Sequence, residues 1–161
     1  MVVVGIDPGV SRIGFGVLGF VRGKFSYIQS GLFKIKSKEQ SMRLLTIRKE
    51  TLNLIKRHKP DLVGVEKLFF NKNKKTGMAV SEARGVVIEA IVSAGAGFVE
   101  MTPPQIKALV SGDGKATKDG IARMVGRTLD LNTKGLIDDE TDALAVAIAA
   151  TMMNLPRKLS S

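Results

Sequence analysis

Cysteine and tryptophan are absent from this chain of 161 residues, and histidine and tyrosine each occur once. Without cysteine there is no disulfide, no thiolate nucleophile and no cysteine-ligated zinc. The single histidine, His58 in "IKRHKP", falls where a helix is expected to end and reads as a surface cap. Its isolation argues against a Ser-His-Asp hydrolase. Neither "GVSRIG" nor "VSAGAG" supplies the G-x-S-x-G nucleophile turn. No apolar stretch reaches the length of a membrane span, so no membrane partner is expected. The first residues lack the basic region, apolar core and small-residue cleavage site of a secretory signal, which makes a cytoplasmic protein the expectation. Negative charge is scarce as well. Fifteen acidic residues face 25 basic ones, a net charge of +10, so the field of the protein attracts polyanions, and nucleic acid is the leading partner.

The apolar pattern is that of one α/β domain, expected over residues 1–157 with 158–161 as a short tail. Residues 2–7, 13–20 and 25–35 read as three strands of a meander, with "GFVRGK" turning the second into the third. Met42, Leu45, Ile47, Leu52 and Ile55 fall at helical spacing between Glu39 and His58, and Lys59-Pro60 stops that helix. "DLVGVEKLFF" returns as a buried strand, a helix is expected over 76–94, and "GFVEM" is the next strand. Pro103 and Pro104 suit the first turn of a short helix, and Ile121, Met124, Val125 and Leu129 mark another. The last helix is expected from about Asp139 to Asn154. Strands that give way to alternating helices and strands indicate a mixed sheet flanked by helices.

With acidic residues so few, their placement is informative. Asp7 ends the valine-rich strand "VVVGID" at a Pro-Gly turn, and Glu66 closes the apolar run "LVGVE". Two carboxylates at the ends of buried strands are costly without a partner. A third group, Asp138, Asp139 and Asp142, opens the apolar helix "DALAVA", and Asp142 can share a face with either of the other two. Carboxylates so gathered stay ionised together only if cations hold them. All-oxygen ligation selects hard ions such as Mg²⁺ or Mn²⁺, and a pair about 3.5–4 Å apart can hydrolyse a phosphodiester. With the basic surface, this points to a nuclease. The glycines after the Asp7 turn are expected to let the next strand or a phosphate backbone come close.

These residues resemble the RuvC family of Holliday-junction resolvases, within the RNase H-like fold. The likeness runs through "GIDPG", "VEKLFF" with "KN" at 72–73, "EARG" at 82–85, "QIK" at 105–107, "GDGKATK" at 112–118 and "DETDALAVA" at 139–147. It implies a three-layer fold on a five-stranded mixed sheet, with Asp7, Glu66, Asp139 and Asp142 as the metal-binding, catalytic acids. The D-x-x-D spacing selects Asp139 over Asp138, which is left as the expected helix cap. The resemblance further implies two Mg²⁺ ions per subunit, replaceable by Mn²⁺, and a homodimer that nicks a four-way DNA junction symmetrically, leaving 5′-phosphates and 3′-hydroxyls. The helix over 76–94 is the implied dimer contact, and a branch-migration motor complex of the RuvA and RuvB type the implied partner. Phe69 matches an aromatic beside the junction bases, whereas its neighbour Phe70 is expected in the core. Lys107 and Lys118 match basic positions near the scissile phosphate, and Lys72, Lys74, Lys75, Arg84 and Lys115 are expected to meet backbone phosphates more generally. Met101 and Gly120 depart from the family pattern, which often has tyrosine and a longer polar residue there.

Overall fold

The structure, a computed structural model, describes residues 1–9, 12–67 and 74–155, with backbone alone for 74–76. Three antiparallel strands, β1 (Val2–Pro8), β2 (Ile13–Val21) and β3 (Lys24–Leu32), lead into α1 (Gln40–His58). There follow β4 (Leu62–Glu66), α2 (Lys74–Ser93), β5 (Phe98–Met101), α3 (Pro103–Ser111), α4 (Lys118–Leu129), a short 3-10 turn (Thr133–Gly135) and α5 (Asp138–Asn154). The five strands lie in the order β3-β2-β1-β4-β5, and β4 and β5 run parallel to β1. The mixed five-stranded sheet and its two helical layers are those expected; β3 ends three residues early and α2 starts two residues early.

Alternation along the strands divides the core in two. Val4, Ile6, Val17, Val63 and Val65 face α1 and α2, while Val3, Leu18 and Leu62 face α5 with α3 and α4 behind it. By the same alternation Gly5 and Asp7 of β1, and Gly64 and Glu66 of β4, point toward α5. Gly5 is in register with Gly16 on one side and Gly64 on the other. These three residues form a trough without side chains across the middle of the sheet.

Helix α5 lies in that trough. A Cβ on Gly5 would overlap the Ala143 carbonyl oxygen, one on Gly14 the Asp139 carbonyl, and one on Gly16 would stand 2.9 Å from the Leu144 Cα. The close neighbour of the glycines is thus a helix, and the expectation of a strand or phosphate backbone there is corrected. Residues 143–151 of α5 are buried all round, because the sheet covers one side and α3 and α4 the other. Alanine at 143, 145, 147, 149 and 150 lets both layers approach.

Local signals set most helix ends. Lys59 ends α1 in the left-handed region before Pro60. The Thr102 amide donates to Gln105 Oε1 (2.9 Å) at the start of α3, and the Gly120 amide donates to Thr117 Oγ1 (3.1 Å) at the start of α4. Two expected caps differ. His58 is the last residue of α1 and its Nε2 donates to Gln29 Oε1 (3.1 Å), tying α1 to β3. Burial and the neighbouring Arg57 hold its pKa below the usual histidine value. Ile137 is the cap residue of α5, and its amide donates to Glu140 Oε2 (3.2 Å), so Asp138 is already inside the helix.

Candidate active site

Parallel neighbours β1 and β4 end side by side, and a strand end in an open α/β sheet is where the backbone leaves room for a ligand. The register reaches Ile6 beside Val65, which sets Asp7 and Glu66 at adjacent ends on the face covered by α5. Glu66 is itself in register with Met101, which is fully buried. The apolar residue at 101 therefore deepens the burial of the carboxylate beside it. The first turn of α5 brings Asp138 and Asp139, and the next turn Asp142, to these strand ends, and the glycine trough fixes how close the helix lies.

Crowding of like charges is visible in the proton affinities. Burial, then Glu66, Asp142 and Asp139, push the Asp7 pKa up to about 8, against a smaller opposing pull from Lys118. Burial and Asp142 raise that of Glu66 to about 7, with Lys107 and Lys118 opposing. Burial likewise raises Asp142, although Lys118 bonds to it. Desolvation and mutual repulsion thus make this corner of the protein a poor place for anions without added positive charge.

The chain supplies some of that charge. Lys118 Nζ stands 3.2 Å from Asp142 Oδ2 and 3.2 Å from Asp138 Oδ2, and Arg12 Nη2 is 3.0 Å from Asp139 Oδ2. Among the described residues no three acidic groups are drawn together tightly enough to enclose an ion, and two of the four acids are engaged by these cations. Asp139 Oδ2 is nevertheless buried and accepts no hydrogen bond among the described residues. An all-oxygen set of part-buried carboxylates whose charges repel fits a hard divalent cation.

Beside the acids, Glu66, Asp142, Lys107, Lys118, Ile106 and Ile121 line a cleft of about 210 Å³. Lys107 and Lys118 therefore stand next to the carboxylates. Arg84 does not lie free for phosphates. It pairs with Glu100 of β5 and is only about one-fifth exposed. Lys115 is exposed in the loop before α4, where its amide donates to Asp113 Oδ1 (2.8 Å). Lys74 and Lys75 open α2. Phe69, Phe70 and Lys72 lie outside the described residues. Arg12 and the Lys118 seat on Asp138 escape a reading of the sequence. A signal that does point to the site is the repeated spacing G-x-D at 5–7 and G-x-E at 64–66, in which each glycine shares a sheet face with the acid that follows it.

The family profile described as crossover junction endodeoxyribonuclease RuvC matches residues 3–150. The chain belongs to the RuvC family. It is 41% identical to the RuvC of Caldanaerobacter subterraneus over 92% of this chain and 90% of the relative. With the RuvC of Gloeobacter violaceus it shares 40% identity over 97% and 91%. The solved structure of Thermus thermophilus RuvC in complex with a Holliday junction substrate superposes with a TM-score of 0.88 at 31% identity, covering 95% of this chain and 94% of that one. Ydc2, the yeast mitochondrial Holliday junction resolvase, has a TM-score of 0.72 at 12% identity, over 93% of this chain and 78% of its own, and shows the shared fold alone. Membership makes the chain a crossover junction endodeoxyribonuclease with the divalent-metal dependence of the RuvC family.

The raised pKa values have a consequence for stability. Asp7 and Glu66 bind their protons more tightly folded than unfolded, where the values are 3.8 and 4.5. Their contribution is fully present below about pH 4 and is lost as pH rises through about 7 to 8. In EDTA, the melting temperature is expected to fall between pH 5 and pH 8, and saturating Mg²⁺ is expected to restore more of it at pH 8 than at pH 5. Scanning calorimetry at both pH values checks this, and a metal effect equal at the two would contradict it.

Proposed function

We propose that Asp7, Glu66, Asp139 and Asp142 form the catalytic metal centre with which this endonuclease resolves four-way DNA junctions. The observation that carries this reading is the convergence of acids from β1, β4 and α5 on one sheet end, where Asp7, Glu66 and Asp142 are raised in pKa by burial and by neighbouring carboxylates. Two Mg²⁺ ions per subunit, with Mn²⁺ as the alternative, would activate water and stabilise the leaving oxygen of a phosphodiester. The acids hold that positive charge at a buried edge, where water screens it poorly. Lys118 and Lys107 border the same cleft and offer ammonium groups to the non-bridging oxygens of the phosphate. Lys118 can leave Asp142 without leaving the site, because Asp138 holds it from the exposed side.

Hydrolysis at this centre leaves a 5′-phosphate and a 3′-hydroxyl, which a ligase can seal. Paired, symmetric nicks on a four-way junction require two such centres, so the working unit is a homodimer. Met78 and Val92 of α2 are exposed apolar residues, and α2 is the surface we assign to the dimer. One catalytic domain over residues 1–157 suffices for each subunit. The surrounding machinery is a branch-migration motor of the RuvA and RuvB type, in the cytoplasm. No described helix is long and apolar enough to cross a membrane. Phe69 is assigned to stack on junction bases, an interaction of about 1–3 kcal/mol per base. Lys72, Lys74, Lys75, Lys115 and Arg84 are assigned to backbone phosphates, Arg84 only after release from Glu100.

Synthetic four-way junctions incubated with the protein and Mg²⁺ are expected to yield paired nicks that ligase reseals, with linear duplex and RNA–DNA hybrid competing weakly. Equal cleavage of the hybrid would instead identify a nuclease of structured or hybrid RNA. Junction affinity is expected to fall steeply with salt as phosphate contacts release counterions, and titration between 50 and 200 mM (about the range over which such contacts weaken) reads that slope.

A further inference from the structure

Arg12 is a basic residue of this corner to which the family motifs give no role. It stands at the entry to β2, and its guanidinium lies 3.0 Å from Asp139 Oδ2. Asp139 cannot turn away from it by shifting its backbone. Its carbonyl is packed against Gly14, where even a Cβ would overlap it, and its Oδ1 lies against Gly9. The side chain is therefore held between the β1–β2 turn and the acids, with Arg12 about half exposed on the outer side. The guanidinium thus sets its charge directly against Oδ2 of the carboxylate. A guanidinium in that place neutralises the carboxylate when metal is absent and opposes a second cation when metal arrives.

We propose that Arg12 is a positioning residue that holds Asp139 in the metal-free protein and competes with the divalent cation for it. This inference rests on the reading of Asp139 as a metal ligand. Exposed pairs of this kind contribute modestly, so Arg12→Gln is expected to tighten Mg²⁺ and Mn²⁺ binding about two- to fivefold in isothermal titration. Arg12→Lys, which keeps the charge, is expected to bind metal within about twofold of the wild type. In the Asp139→Asn background, Arg12→Gln is expected to leave the metal affinity unchanged, because the coupled partner is gone. Arg12→Gln that lowers the melting temperature in EDTA while the metal Kd stays the same would assign the residue a purely structural role and overturn the proposal. An Asp139→Asn protein that binds metal as tightly as the wild type would show that Asp139 is not a ligand, and so refute the underlying reading.

Discussion

Asp7→Asn is expected to lower junction cleavage about 10³-fold or more, at least about 4 kcal/mol of barrier, while junction binding persists and the metal-free protein becomes more stable. The two effects have one cause. Asp7 is placed where its charge is destabilised by burial and by Glu66, Asp142 and Asp139, and asparagine keeps the shape while removing the charge. The gain at pH 8 in EDTA is expected to be roughly 2 kcal/mol, or about 4–8 °C in a domain of this size. Mg²⁺ should reverse the ranking, because the wild type then recovers a cation that the variant holds poorly. Gel assays of cleavage and binding, with calorimetry in EDTA and in Mg²⁺, measure all three. Cleavage by Asp7→Asn at the wild-type rate would remove Asp7 from the mechanism, and an unchanged melting temperature in EDTA would remove the electrostatic strain.

The second large effect comes from Gly5, which carries no chemistry. Gly5→Ala places a methyl group into the Ala143 carbonyl and 2.5 Å from the Ala147 amide nitrogen. Both are helix backbone, which has no rotamer with which to yield. Overpacking of this kind is expected to cost about 3 kcal/mol, lowering the melting temperature by about 6–12 °C. Gly14→Ala should act similarly and also displace Asp139, whose carbonyl it meets. The exposed Gly85, in α2, has nothing within 4 Å of an added Cβ. There the same substitution is expected to stabilise by about 0.5–1 kcal/mol through helix propensity. Urea melts of the three variants at one protein concentration test the contrast. A Gly5→Ala protein as stable as Gly85→Ala would mean that α5 can lift off the sheet at little cost.

Periodicity and punctuation make the elements legible in the sequence itself: a run of valines for β1, Lys59-Pro60 for the end of α1, paired prolines for the start of α3. Asp7 and Glu66 stand out in the sequence because carboxylates at the ends of apolar strands are costly, whereas Asp139 is selected over Asp138 only by the family resemblance. What escapes depends on pairs distant in sequence. Asp138 has the pattern of a cap, since acidic residues favour helix starts, yet the first turn closes on the Ile137 amide and Glu140. Arg84 has the pattern of a phosphate ligand, but α2 packs it toward Glu100 across the sheet edge. No local pattern marks Arg12 as the neighbour of Asp139, 127 positions away. The glycines stand out in the sequence without naming what approaches them, because a helix that follows more than 70 residues after β4 leaves no trace in β1.

Helix α5 is both the middle of the core and the carrier of two of the four acids. Its amides from residue 143 to 151 are enclosed by the sheet and by α3 and α4, so their hydrogens should exchange with solvent only when the whole domain opens. A ligand set on a loop could loosen while the fold persists. Here Asp142 is anchored one residue before that protected stretch, which ties the acids proposed as ligands to the core of the domain. Opening of the proposed ligand set is then expected to require global unfolding, in EDTA as in Mg²⁺.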